Sequence, residues 1–141
     1  MVSDCEHICI VSHPENLIKV RHALARVLDK TCLRQKETSS LILAVDEACS
    51  NIIRHGYNND HTQTIELKIN LTEDKLAITI LDKGIEFDIH SVEKRDVSEV
   101  RPGGLGIYII HHVMDSVDYS RTPEGKNRID LIKWIKSDKE P

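Results

Sequence analysis

The four cysteines, Cys5, Cys9, Cys32 and Cys49, form no CxxC pair, and a chain of 141 residues does not need a disulfide framework. Reduced, partly buried thiols are expected. There is no basic excess either. The formal net charge is -4, which argues against nucleic acid as a direct partner, because phosphate backbones are met by basic patches. No apolar run approaches the roughly 20 residues that cross a bilayer, so no membrane partner is expected. The N-terminus lacks the basic-then-apolar pattern of a secretory signal, and a cytoplasmic protein is the expectation. Of the eight histidines, His111 and His112 are adjacent. On a helix they point about 100° apart, and no zinc site is read from the spacing. Two familiar phosphate loops are missing: there is no GxxxxGK[ST], and no GxGxxG follows a strand.

What remains fits one soluble domain over residues 1–141, with 40% hydrophobic and 30% charged residues. Residues 5–12 read as a strand through Ile8, Ile10 and Val11. Pro14 suits a helix start, with Ser12 or His13 near the cap. From Glu15 to about Lys30, apolar residues at Leu17, Ile18, Ala23, Leu24, Val27 and Leu28 keep helical spacing. A second helix spans about Glu37–Ile53, with a stripe of Leu41, Ala44, Val45, Ala48, Cys49 and Ile52. Gly56 and the Tyr57–Asp60 segment end it. Thr64–Thr72 and Lys75–Leu81 alternate as a hairpin. Residues 82–104 read as a long loop, and such loops are usually functional. A third helix over about Leu105–Asp115 and a hairpin of Val117–Ser120 with Arg128–Ile135 complete the order. The expected fold is α/β: a two-layer sandwich with a mixed, mostly antiparallel sheet and helices packed on one face.

Three segments carry polar groups suited to chemistry. Glu47, Asn51 and His55 stand at steps of four on the second helix, each about 40° further round, so they form a slanting row beside the apolar stripe. A carboxylate there takes a proton from a hydroxyl, and a carboxamide oxygen one turn on reaches a hard cation such as Mg²⁺. The plainer alternative is a solvated helix edge. Asp82-Lys83-Gly84 ends a strand, where a carboxylate accepts from an amine and a glycine lets a flat ring approach; the alternative is an ordinary turn. Gly103-Gly104-Leu105-Gly106 opens the third helix, leaving N–H groups for an anion, with Arg101 in reach of a terminal phosphate. A merely flexible helix entry is the alternative.

The order and spacing of these segments resemble the ATPase/kinase superfamily of DNA gyrase, the Hsp90 chaperone, histidine kinases and the MutL repair protein, and most of all its anti-sigma factor serine kinase branch. Residues 44–57 look like that branch's ExxxNxxxHGY box, 82–88 like its second box and 103–108 like its third. The resemblance implies a histidine-kinase-like ATPase fold binding ATP and Mg²⁺. Glu47 would be the general base toward a substrate serine, and Asn51 the metal ligand. Asp82 would accept from the adenine amino group with Gly84 beside the ring. His55, Gly56, Arg101, Gly103, Gly104, Leu105 and Gly106 would border the nucleotide, and residues 88–102 would form the ATP lid. The branch pattern departs at two places: Glu86 occupies a second glycine's position, so it must point away from the phosphates, and Asn127 stands where a threonine is usual, offering a similar hydrogen bond.

The resemblance further implies an anti-sigma factor: a homodimer that sequesters a sigma factor and phosphorylates a serine of a STAS-type anti-anti-sigma antagonist. Glu86 and the missing threonine motivate an alternative, a non-catalytic ATP-gated partner-binding protein. A histidine kinase catalytic domain ranks third, because no helical pair bearing a phospho-accepting histidine precedes the domain. A gyrase- or chaperone-like ATPase is disfavoured by length.

Overall fold

The computed structural model describes residues 4–86 and 104–135. Strand β1 (Asp4–Val11) leads through a 3₁₀ turn at Pro14–Asn16 into helix α1 (Leu17–Leu28). Helix α2 (Gln35–Asn51) runs on into a π-helical turn at Ile52–Gly56. Strands β2 (Thr64–Leu71) and β3 (Lys75–Asp82) follow, then helix α3 (Gly104–Val113) and strands β4 (Ser116–Arg121) and β5 (Asn127–Trp134). The sheet order is β1-β2-β3-β5-β4. The expected sandwich is present, and the sheet is antiparallel in every described pair.

Period-two patterning decides which face carries the helices. Ile65, Leu67, Ile69 and Leu71 of β2, with Leu76, Ile78 and Ile80 of β3, are buried on one side. Leu24, Val27, Leu41, Val45 and Ile53 meet them from the helical layer in one core cluster. Each such side chain contributes about 1.5–3 kcal/mol by leaving water, so the period and register are strongly specified. The stripe expected on α2 is buried throughout, whereas Ile18 and Val11 are exposed. The same alternation corrects the expectation for the thiols: Cys5 and Cys9 lie on the outer sheet face, Cys32 is also exposed, and only Cys49 is buried. Among the described residues, no helix is long and apolar enough to cross a membrane.

Two helix ends fall where expected, each through its own local chemistry. His13 caps the 3₁₀ turn, its ring nitrogen accepting from the Glu15 N–H at 3.2 Å. Ser12 does other work, fully buried at the end of β1. Its Oγ donates to the Asp60 carbonyl at 2.6 Å and accepts the Gln63 N–H at 3.0 Å. At the far end of α2, Gly56 does not stop the helix with a left-handed residue. The Tyr57 N–H reaches back five residues to the Ile52 carbonyl at 2.8 Å, and Asn58 and Asn59 take positive φ angles instead. Asparagine tolerates that region better than most residues.

Ser12 therefore holds the turn that carries the end of α2 into β2. Ser12→Ala is expected to lower stability by about 1–3 kcal/mol, since it strips two partners from a buried site. Ser40→Ala removes an exposed bond to the Lys36 carbonyl and should stay within about 0.5 kcal/mol. Denaturant melts of both variants check this.

Candidate active site

The site begins where α2 loosens. Glu47 and Asn51 are half-buried on the last turns of the helix. The π-helical turn then widens the helix and interrupts the regular step of four that would carry the row on to His55. π-turns of this kind often sit at functional sites. His55 is exposed. Arg54, which the sequence reading had not selected, fills the place beside Glu47 and Asn51. Its Nη2 donates to Asn51 Oδ1 at 3.1 Å and lies 3.8 Å from Glu47 Oε2. Its Nε is buried without a hydrogen-bond partner among the described residues, an arrangement that costs about 1–3 kcal/mol. The spacing held a signal, because residues three and seven apart share a helix face.

The second corner is built by cross-strand register. Asp82 ends β3 directly opposite Asn127, the first residue of β5, and Asn127 is opposite Arg121 of β4. Asp82 is only 5% exposed. Its Oδ1 accepts from the Gly84 N–H at 2.8 Å and from Asn127 Nδ2 at 2.9 Å. The same Nδ2 lies 2.9 Å from the Gly84 carbonyl and 3.2 Å from that of Ile85. Two hydrogens face three acceptors, so the amide braces the loop as a shared donor. Arg121 completes the chain, donating to Asn127 Oδ1 at 3.1 Å and to the Gly125 carbonyl at 2.8 Å. Both ends of the Asn127 amide are thus engaged by protein. Burial raises the Asp82 carboxyl above its ordinary range, against the Asn127 and Gly84 hydrogen bonds and the Arg121 charge.

A backbone contact joins the corners. The Ile85 N–H donates to the Gly56 carbonyl at 2.8 Å. A Cβ on Gly84 would stand 2.5 Å from that carbonyl oxygen. Gly84 was expected to admit a ring; the nearest demand on it is the Gly56 backbone. Tyr57 adds a second tie, its hydroxyl donating to the Thr64 carbonyl at 2.6 Å and accepting the Lys83 N–H at 2.8 Å. Helix α3 packs along α2 and begins at Gly104, with Leu105 and Gly106 in its first turn. Arg101, Gly103 and the lid at 88–102 lie outside the described residues. Glu86 is exposed and faces Arg121 Nη1 at 3.7 Å. Among the described residues, no group of three or more His, Cys, Asp or Glu side chains is disposed to hold a metal. The oxygens of Glu47 and Asn51 are hard donors of the kind Mg²⁺ takes in ones and twos beside phosphates.

A helix-borne carboxylate and carboxamide and a buried strand-end carboxylate stand together on an antiparallel α/β sandwich. The sequence profile of the histidine kinase-like ATPase domain matches residues 10–133, and the chain belongs to that family. The serine-protein kinase RsbW of Bacillus licheniformis is 32% identical over 112 residues, 74% of this chain and 70% of that protein. RsbW of Bacillus subtilis strain 168 is 28% identical over 116 residues, covering 77% and 72%. Among solved structures, the RsbU and RsbW domains of a Mycobacterium tuberculosis protein superpose with a TM-score of 0.67 at 14% identity, covering 95% of this chain and 33% of that one. The SiaB–SiaC complex from Pseudomonas aeruginosa gives 0.66 at 14% identity, covering 90% and 88%. These two likenesses concern the fold.

Gly84→Ala should force Gly56 and Ile85 apart, lowering stability by about 1–3 kcal/mol in a denaturant melt. A pH-resolved melt tests Asp82. Its folded pKa is raised above the ordinary 3.8, so the folded state holds the proton more tightly than the unfolded state. Stability must then fall as pH rises from 3.8 through the folded value. Asp82→Asn should lack that slope, so the difference between variant and wild type grows in the variant's favour as pH rises above 3.8 and levels once the folded carboxyl has titrated.

Proposed function

We propose that this chain is an ATP-dependent serine protein kinase acting as an anti-sigma factor, which sequesters a sigma factor and phosphorylates a serine of a STAS-type antagonist. One observation carries the proposal. Glu47 and Asn51, half-buried at the end of α2, are tied to the Asp82 corner by the Ile85–Gly56 hydrogen bond. The RsbW relatives, named serine-protein kinases, supply the substrate side chain by analogy.

In this reading Asp82 accepts from the adenine amino group, keeping the charge that its burial opposes. Asn127 and Arg121 hold that carboxylate still, and the first turn of α3 turns backbone N–H groups toward phosphate. Asn51 holds Mg²⁺ through its side-chain oxygen, and Glu47 takes the proton of the substrate serine. The new bond joins serine Oγ to the γ-phosphorus, the bond from that phosphorus to the β-bridging oxygen breaks, and the proton ends on Glu47. When bound, Mg²⁺ neutralises charge on the transferring and leaving oxygens. So few side chains suffice because phosphoryl transfer is mainly positioning and charge stabilisation. Arg101, Gly103 and residues 88–102 complete the proposal as phosphate contact and lid. A single domain, a homodimer and a cytoplasmic place belong to it as well. The non-catalytic alternative drew on Glu86 and on the missing threonine; the Glu86 carboxylate lies 3.7 Å from Arg121, and the measurement below separates the two readings.

Labelled ATP, Mg²⁺ and the cognate antagonist should yield phosphoserine. Glu47→Ala should lower the transfer rate at least about 10²-fold while calorimetry finds ATP affinity within about threefold. Undiminished transfer by this variant would remove Glu47 from the chemistry. ATP binding without any transfer by the wild type would favour the non-catalytic alternative.

A further inference from the structure

Among the described residues of the site, Arg54 is a charged side chain to which neither the family resemblance nor the proposed chemistry gives a task. Its position is built by the fold. The π-helical turn at Ile52–Gly56 starts one residue after Asn51, and the guanidinium it carries is held only in part. One nitrogen, Nη2, serves Asn51 Oδ1 at 3.1 Å and faces Glu47 Oε2 at 3.8 Å. Nε has no partner among the described residues although it is buried. A guanidinium with five donors in a fixed fork is seldom left so poorly paired without reason. The two oxygens it faces are the two hard donors of the site, one neutral and one anionic. A cation between them satisfies both, whether it is a guanidinium or a metal ion.

Taking the ATP–Mg²⁺ site proposed above as given, we propose that Arg54 is a positioning residue that occupies the metal's place when the nucleotide is absent. In that state it orients the Asn51 carboxamide with its oxygen toward the site and shields the Glu47 carboxylate with positive charge. Loading of the site requires Arg54 to let go of Asn51 Oδ1. Its weak hold makes that exchange cheap: the pair is partly exposed, with 35% of the Arg54 side chain and 26% of that of Glu47 open to solvent, and solvent-screened pairs contribute little. On release, the unsatisfied Nε gains access to water or to the anionic nucleotide. Arg54 thus competes with Mg²⁺ for Asn51 and raises the Mg²⁺ concentration at which ATP binds.

The test is calorimetric ATP binding by the full chain across a Mg²⁺ titration, with no phosphoryl transfer required. Arg54→Met should lower the half-saturating Mg²⁺ concentration by about three- to tenfold. Arg54→Lys keeps a charge without the fork and should fall between variant and wild type. Arg26→Met deletes a distant cation paired with Glu6 and should match the wild type, which excludes a general change in protein charge. An Arg54→Met protein with the wild-type Mg²⁺ dependence would overturn the inference and leave the nucleotide site standing. A raised Mg²⁺ requirement in that variant would also overturn it, making Arg54 a phosphate contact instead. A wild type that binds no ATP at any Mg²⁺ concentration would overturn both readings together.

Discussion

Where the end of α2 crosses the end of β3, the two backbones approach closely enough that the Ile85 N–H bonds the Gly56 carbonyl and a Cβ on Gly84 would strike it. The described groups of the candidate site are arranged about that crossing. On one side stand Glu47, Asn51 and Arg54; on the other, Asp82 with its support from Asn127 and Arg121. A site whose groups come from a helix and from a sheet needs the two layers held at one point close to those groups. The hydrogen bond supplies direction and the missing Cβ supplies proximity.

Asp82 shows what such a site asks of stability. A carboxylate that is 5% exposed at the rim of a hydrophobic core is an unfavourable choice for folding alone. Burial pushes its proton affinity up, while one amide, one backbone N–H and one guanidinium pull it back. Only Oδ1 is occupied by these protein donors, so the carboxylate is steadied without being used up. Asn127 belongs to this scaffold. Its place at the head of β5 is where the related branch usually carries a threonine, and here its amide is spent on the protein itself.

Much of this was legible in the chain. Alternation through β2 and β3 gave both strands within a residue or so, because a half-buried strand must repeat every second position. The stripe on α2 was read fully, since 3.6-residue spacing leaves few other solutions. The order of the three boxes implied one site; the first two meet at the Gly56–Ile85 contact, and Gly103 of the third lies outside the described residues. What was missed has a common cause. The π-helical turn depends on where the Tyr57 N–H finds its acceptor, which no residue type announces. Arg121 and Asn127 meet across a hairpin whose register, including the positive φ of Gly125, had to be built first. The exposure of Cys5 and Cys9 followed from which face of β1 the helices cover.

By itself the chain determined its periodicities, its breakers and the types of polar group at the ends of its apolar segments, because these are local and repeat over a few residues. That was enough to specify a helix carrying a carboxylate and a carboxamide, and a strand ending in a carboxylate. Only the tertiary structure decided that Gly84 answers to Gly56 and that Asn127 braces Asp82. Each of these pairs is set by distance in space, and a hydrogen bond at about 3 Å depends on the relative position of whole elements, which sequence spacing does not encode.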